Sequence, residues 1–203
     1  MIKNIIFDLG GVIVRLDKNA CIESFRKLGF DDFGRILNEF VQKGPFLDFE
    51  MGLITDDEFR SFIRQNTNKE VMDTEIDQAM ADFLVEIPVN KLETISRLKS
   101  NYNVFLLSNT NPIAIKAVKP FFETEGRTME DYFDRMFLSY QMKMAKPDMK
   151  IFAKVLETAS VKAQETLFID DGPANLYSAS LLGYKTLLAT QESDLEAAIR
   201  SML

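Results

Sequence analysis

The chain has 203 residues, 46% apolar and 27% charged, the proportions of a soluble globular protein that can bury a core without disulfides. It contains no histidine and one cysteine, Cys21, which excludes Ser-His-Asp and Cys-His catalysis, internal disulfides and Cys- or His-built metal clusters. Asp and Glu number 31 against 24 Lys and Arg, a net charge of -7 with no basic block, so nucleic acid is not an expected partner.

Residues 2–7 form a short apolar run that ends in Asp8. The run is too short to span a membrane and no cleavage signal follows it, so a soluble, cytoplasmic protein with no membrane partner is expected. Gly10 and Gly11 then mark a sharp strand exit.

The interval 15–88 has a different character, with helical patterns and no convincing strand. Amphipathic stretches cover 20–28, 34–41 and 76–84. Thr55 and Glu58 have the spacing of a capping box, with Ile54 and Phe59 placed as a hydrophobic staple. Phe59, Phe62 and Ile63 then fall on one helical face.

Beyond it, apolar runs rich in β-branched and aromatic residues recur at 104–107, 135–138, 166–169 and 185–188. Helical patterns lie between the later ones. Asp148 precedes an apolar stripe of Ile151, Phe152, Val155 and Leu156, and Ser193 with Glu196 has capping-box spacing ahead of Leu195 and Ile199. Strands alternating with helices imply an α/β fold, a Rossmann-like parallel sheet wrapped by helices. The expected division is a core of residues 1–14 and 89–203, with 15–88 inserted as an all-helical cap.

In such a sheet, ligands collect beyond the carboxyl ends of the strands. The reactive residues fall at those ends: Asp8 after the first run, Ser108 after the second, Lys146 shortly after the third, and Asp170-Asp171 after the fourth. Each alone is ordinary turn or surface chemistry. Together they supply a nucleophile, a hydroxyl donor, a cation and a carboxylate pair, an inventory suited to phosphoryl transfer with a hard, oxygen-ligated metal.

The segments FDLGGV, LLSNT, Lys146-Pro147 and FIDDGPANL, in that order, resemble the four motifs of the haloacid dehalogenase superfamily. The resemblance covers essentially the whole chain, and is closest to small bacterial sugar-1-phosphate phosphatases and the phosphatase domain of some epoxide hydrolases. It implies a magnesium-dependent (Mg2+) phosphatase that hydrolyses a small phosphorylated metabolite through an aspartyl-phosphate on Asp8. It further implies that Asp8, the Gly10 carbonyl, Asp171 and Asp170 hold the metal. Ser108, the Asn109 amide, Gly10, Gly11 and Lys146 would surround the phosphate. Lys146 would keep Asp8 ionised, and Asn175 would orient either a water on the metal or the lysine.

One position departs from the pattern. Family phosphatases usually carry a second Asp two residues after the nucleophile as acid and base; here that residue is Gly10. The loss of a positioned acid costs about 10²–10⁴-fold. A sugar phosphate with a good leaving group, an anomeric phosphate above all, is therefore the expected substrate, unless water or a carboxylate of the inserted segment such as Asp48 or Glu50 supplies the proton. Two other readings are open: a 2-haloacid dehalogenase, whose halide leaves unprotonated but which has no use for the Asp170-Asp171 pair, and a degenerate, non-catalytic binding protein. Arg15 and the turn at Gly44-Pro45-Phe46 are candidate specificity elements. The chain is expected to act as a monomer or weak homodimer.

Overall fold

A computed structural model of the chain describes residues 1–37, 44–124 and 126–203. Five parallel strands form the central sheet: β1 (Asn4–Phe7), β4 (Asn103–Ser108), β5 (Arg135–Leu138), β6 (Thr166–Asp170) and β7 (Lys185–Leu188), in the spatial order β5-β4-β1-β6-β7. Because side chains alternate across a strand, the central strands β4, β1 and β6 feed two cores, while edge strand β7 leaves Lys185 and Leu188 exposed. Ile5, Phe7, Val104, Leu106, Leu167 and Ile169 face one side, while Ile6, Phe105, Leu107 and Phe168 face the other.

The first face is covered by α5 (Val89–Lys99), α6 (Pro112–Val118), α7 (Met129–Tyr132) and α11 (Leu195–Arg200), the second by α9 (Met149–Ala159) and α10 (Pro173–Leu181). Burial on both faces explains why the central strands read as unbroken apolar runs; β7, expected as another buried run, lies at the sheet edge and is not buried. Asp148 caps α9, its carboxylate accepting from the Lys150 N–H at 2.9 Å. At α11 the capping residue differs from expectation. Asp194 accepts the Ala197 N–H, while the Ser193 hydroxyl turns back to accept from Thr190. Both side chains suit the role, and the nearer carboxylate takes it.

Between β1 and α5 lie α1 (Lys18–Lys27), α2 (Pro45–Glu50), α3 (Asp56–Gln65) and α4 (Asp73–Ala81). Their apolar faces meet in a separate cluster rich in phenylalanine. Phe25 stacks on Phe33 and Phe49 on Phe59, with ring centroids 3.6 and 4.4 Å apart, and Ile113 of α6 joins from the sheet side. The capping box at α3 is formed, Glu58 accepting from the Thr55 N–H at 2.7 Å and Thr55 from the Glu58 N–H at 3.2 Å. The pattern over 34–41 runs beyond Leu37 out of the described residues; Phe33–Arg35 make one 3-10 turn.

The interval is not wholly helical. Residues Arg15–Leu16 (β2) pair antiparallel with Leu84–Glu86 (β3), clasping its two ends together. Strands of two and three residues are too short for alternation to show in a sequence, and Leu84 belongs to β3 rather than to the preceding helix. Among the described residues, no helix is long and apolar enough to cross a membrane.

Candidate active site

The register of the sheet brings the reactive residues level. Phe7 lies beside Ile169, so the residues that follow, Asp8 and Asp170, emerge side by side. The Asp8 N–H still donates to the Ile169 carbonyl at 2.9 Å, which extends the pairing and fixes where its side chain begins. Next, the chain folds back in a tight loop, the Gly11 and Val14 N–H groups donating to the carbonyls of Val14 and Leu9. Gly11 has φ +76, and a Cβ there would stand 2.1 Å from Asp171 Oδ2. The loop thus runs directly against the second aspartate of the pair.

Lys146 follows α8 (Ser139–Met142) and is buried. Its Nζ donates to Asp170 Oδ2 at 2.6 Å and to Asp8 Oδ1 at 2.8 Å, and lies 5.6 Å from the centroid of the Phe168 ring. Burial works against its charge, but Asp170 and Asp8 together outweigh burial and hold the ammonium above the ordinary lysine range. Asp170 is fully buried with both oxygens engaged, Oδ1 accepting from the Gly172 N–H at 2.7 Å and from Asn175 Nδ2 at 2.8 Å. Asn175 therefore orients the aspartate, and reaches the lysine only through it.

Burial pushes the Asp8 carboxyl up to about 7; Lys146 opposes this, and the neighbouring Asp170 and Asp171 reinforce it. Lys146 thus opposes the rise without cancelling it. From the protein's own groups, desolvation and like charge win. A divalent cation is what would lower it. One carboxylate oxygen from each of Asp8, Asp170 and Asp171 lies within 4.8 Å of the others, a hard-oxygen donor set that fits magnesium.

Ser108 closes β4, buried, with its hydroxyl 3.3 Å from the Asn109 carbonyl. Asn109 contributes more than the backbone amide expected of it. Its side-chain amide accepts from the Lys146 N–H at 2.8 Å and donates to the Lys146 carbonyl at 2.9 Å. Thr110 continues this loop, its N–H donating to Ser139 Oγ at 2.9 Å.

All the strand-end residues expected from sequence thus converge. Others part from it. Arg15 turns to Glu86 at 3.1 Å and Glu192 at 3.5 Å. Phe46 packs its ring against Phe33 and Phe59 inside the apolar cluster, and Pro45 opens α2. Lys91 was not foreseen. Buried on α5, it donates to the Val12 carbonyl and, at 3.0 Å, to that of Gln191, supporting the loop behind Asp8. Nothing in the sequence separates it from a solvated lysine. Glu50, one of the two carboxylates of the inserted segment named from sequence as a proton source, is buried, only 7% exposed. Burial raises it to about 8, Lys146 pulling it down and Asp8 pushing it up.

A helix-wrapped parallel sheet with carboxylates and a buried ammonium gathered at its carboxyl edge makes the chain an α/β enzyme of Rossmann-like fold. The sequence profile of the haloacid dehalogenase-like hydrolase family matches residues 2–183, and the chain belongs to that family. It is 39% identical over 195 residues to the D-ribitol-5-phosphate phosphatase of Bacteroides thetaiotaomicron, covering 96% of this chain and 95% of the relative. A crystal structure of a HAD family enzyme from that organism, in complex with magnesium and inorganic phosphate, superposes with a TM-score of 0.92 at 43% identity, over 97% of this chain and 98% of that one. A HAD-like family hydrolase from Porphyromonas gingivalis has the same TM-score at 38% identity, over 100% of this chain and 98% of the other.

Proposed function

We propose that this hydrolase is a magnesium-dependent phosphatase acting on a small sugar or polyol phosphate through an aspartyl-phosphate intermediate on Asp8. The observation that carries the reading is the bridge of Lys146 Nζ between Asp8 and Asp170, beside Asp171, at the buried edge of the sheet. In this reading Asp8 attacks phosphorus in line with the departing oxygen. Ser108 and the Asn109 amide receive the phosphoryl oxygens, and Lys146 offsets their charge while orienting Asp8. Asp8, Asp170, Asp171 and the Gly10 carbonyl hold magnesium, which when bound supplies the positive charge that three crowded carboxylates and a phosphate require. Asn175 keeps Asp170 in place. Residues 15–88 act as a cap over the strand edge and select the substrate. The enzyme works in the cytoplasm as a monomer or weak homodimer.

Substrate class is where the residues and the relatives pull apart. The absence of a side-chain acid at Gly10 favours an anomeric phosphate, which leaves without much help. A relative of 39% identity named for D-ribitol 5-phosphate favours a primary alkyl ester, whose oxygen must be protonated as it departs. The latter is the stronger guide, because the likeness spans both core and inserted segment. A dehalogenase has no use for the carboxylate cluster at this site.

The test is phosphate release from a panel of sugar and polyol phosphates, with magnesium and with a chelator, using wild type and Asp8→Asn. Metal-dependent release that vanishes in Asp8→Asn is expected. Release that survives the chelator, or survives loss of the Asp8 carboxylate, would overturn the reading.

A further inference from the structure

Glu50 is the last residue of α2, and the seam between the inserted segment and the sheet is drawn tightly around it. Its carbonyl lies 2.6 Å from Ser139 Oγ, the hydroxyl that also accepts from Thr110 in the Ser108–Asn109 loop. Two residues on, the Gly52 carbonyl accepts from Lys143 Nζ. Gly52 itself, at φ +59, passes so close to the Tyr140 carbonyl that a Cβ would stand 2.3 Å from it. These ties fix the Glu50 backbone against the strand edge that carries the catalytic groups.

Among the described residues, no ion pair or hydrogen bond of the side chain explains its burial. Its Oε2 is buried without a hydrogen-bond partner, one of two such side-chain atoms among the described residues. The charged groups that act on it are Lys146 and Asp8, the two at the centre of the site. A carboxyl placed for stability would be paired or solvated. One that is buried and unpaired at the seam against the catalytic strand edge is poised for a proton that arrives with the substrate. The position two residues after Asp8, where phosphatases of the family usually carry an acid, is Gly10 and offers none.

We propose that Glu50 is the acid and base of the reaction, reaching across the seam to perform the proton transfers that no side chain at Gly10 can perform. The proposal rests on the phosphatase reading above. In the first step an Asp8 oxygen forms a bond to phosphorus as the bond from phosphorus to the ester oxygen breaks. The electron pair stays on that oxygen, which takes the proton from the Glu50 carboxyl and leaves as an alcohol. In the second step water attacks the same phosphorus, its proton passing to the Glu50 carboxylate as the bond to Asp8 breaks. Inorganic phosphate is released, and Asp8 and Glu50 return to their starting forms.

The test compares wild type with Glu50→Gln on two esters, D-ribitol 5-phosphate and 4-nitrophenyl phosphate. Gln is nearly isosteric but carries no transferable proton. For the alkyl ester, kcat/KM should fall by about 10²–10⁴-fold. For the aryl ester, whose leaving group needs no proton, kcat/KM should stay within about tenfold of wild type, because it reports only the first step. Its kcat should fall nonetheless, with a stoichiometric burst of nitrophenol as the aspartyl-phosphate accumulates for want of a base. An equal fall in kcat/KM on both esters, with no burst, would overturn the proposal and leave Glu50 a packing or binding residue. Should Glu50→Gln fail to fold, wild type alone decides on esters graded by leaving-group basicity: a shallow dependence of kcat/KM is expected, and a steep one overturns the assignment. If wild type releases phosphate from no ester, the phosphatase reading fails with it, an outcome distinct from the others.

Discussion

Asn109 and Lys146 clasp each other through both halves of the asparagine amide, which accepts from the Lys146 N–H at 2.8 Å and donates to its carbonyl at 2.9 Å. The clasp joins the loop after β4 to the loop before α9, thirty-seven positions apart. It sets the root of the side chain whose Nζ must reach Asp8 and Asp170 together. Asn109→Ala leaves Lys146 its charge but frees its backbone, and misplacing a catalytic group by about 1 Å can cost on the order of 10²-fold. A fall in kcat of roughly 10–100-fold is expected, with a smaller change in KM. Steady-state kinetics on any accepted ester measures it; an unchanged kcat would mean that the ion pairs alone hold Lys146.

Much of the site was legible because three of the four motifs end a buried strand. Asp8, Ser108 and Asp170 follow apolar runs that could only be central strands, and a parallel sheet sends all such ends to one edge. What escaped notice depends on side chains aimed across the fold. Asn109 as a clasp and Lys91 as a prop for the Val12 carbonyl have no local pattern, since their partners are 37 and 79 positions away. Glu50 stood out only as one of two acidic residues near Phe49, alongside Asp48. Only the folded seam distinguishes the buried one from its half-buried neighbour. The β2–β3 pairing escaped because two- and three-residue strands carry no periodicity.

The raised carboxyls make a definite pH prediction for metal-free protein. Asp8 moves from 3.8 to about 7 and Glu50 from 4.5 to about 8, both through burial first. A carboxyl raised on folding stabilises the native state below its unfolded pKa, and that stability is lost as pH rises through the folded value. With a chelator present, the melting temperature should therefore decline between about pH 4 and pH 8 on account of these two groups. The surface carboxyls that are held low, Glu58, Glu130, Asp131 and Glu165, contribute below that window instead. Asp8→Asn should flatten the decline, and magnesium should reverse it, by about 2.7 kcal/mol at a hundred times its Kd. Differential scanning calorimetry at pH 5.5 and 8.5 is the check. A wild-type profile as flat as that of Asp8→Asn would contradict the buried-charge account.

Gly11 and Asp171 are in contact that no side chain can share. Alanine at position 11 would have to adopt φ +76, at a cost of about 1–2 kcal/mol. Its Cβ would also fall 2.1 Å from Asp171 Oδ2, so the carboxylate must move. Gly11→Ala is therefore expected to weaken magnesium binding along with lowering stability, mimicking Asp171→Ala in metal titration although it removes no ligand. Calorimetric titration of both variants tests this. Wild-type magnesium affinity in Gly11→Ala would show that Asp171 is not held by this contact or does not bind the ion.

Gly10 offers the converse experiment, restoring an acid where the family pattern has one. Its backbone has an ordinary φ, so the obstacle is space: a Cβ would meet Leu16 Cδ1 at 3.1 Å, the flexible end of a half-buried side chain in β2. Gly10→Asp should fold, with Leu16 giving way by a few tenths of an ångström, and Leu16→Ala in the same chain should relieve the crowding altogether. In the Glu50→Gln background, Gly10→Asp places a carboxyl two residues beyond Asp8 and should recover about 10–100-fold in kcat/KM on an alkyl phosphate, part of the 10²–10⁴-fold that a positioned acid supplies. Recovery should be greater with Leu16→Ala, since the new side chain is then free to choose its rotamer. On 4-nitrophenyl phosphate the added acid should leave kcat/KM nearly unchanged, because that leaving group draws no benefit from it. Recovery confined to the alkyl ester would mean that positions 10 and 50 are alternative seats for one proton. Equal recovery on both esters would point to repaired packing, and none on either would mean that a carboxyl at position 10 cannot reach the departing oxygen past Leu16.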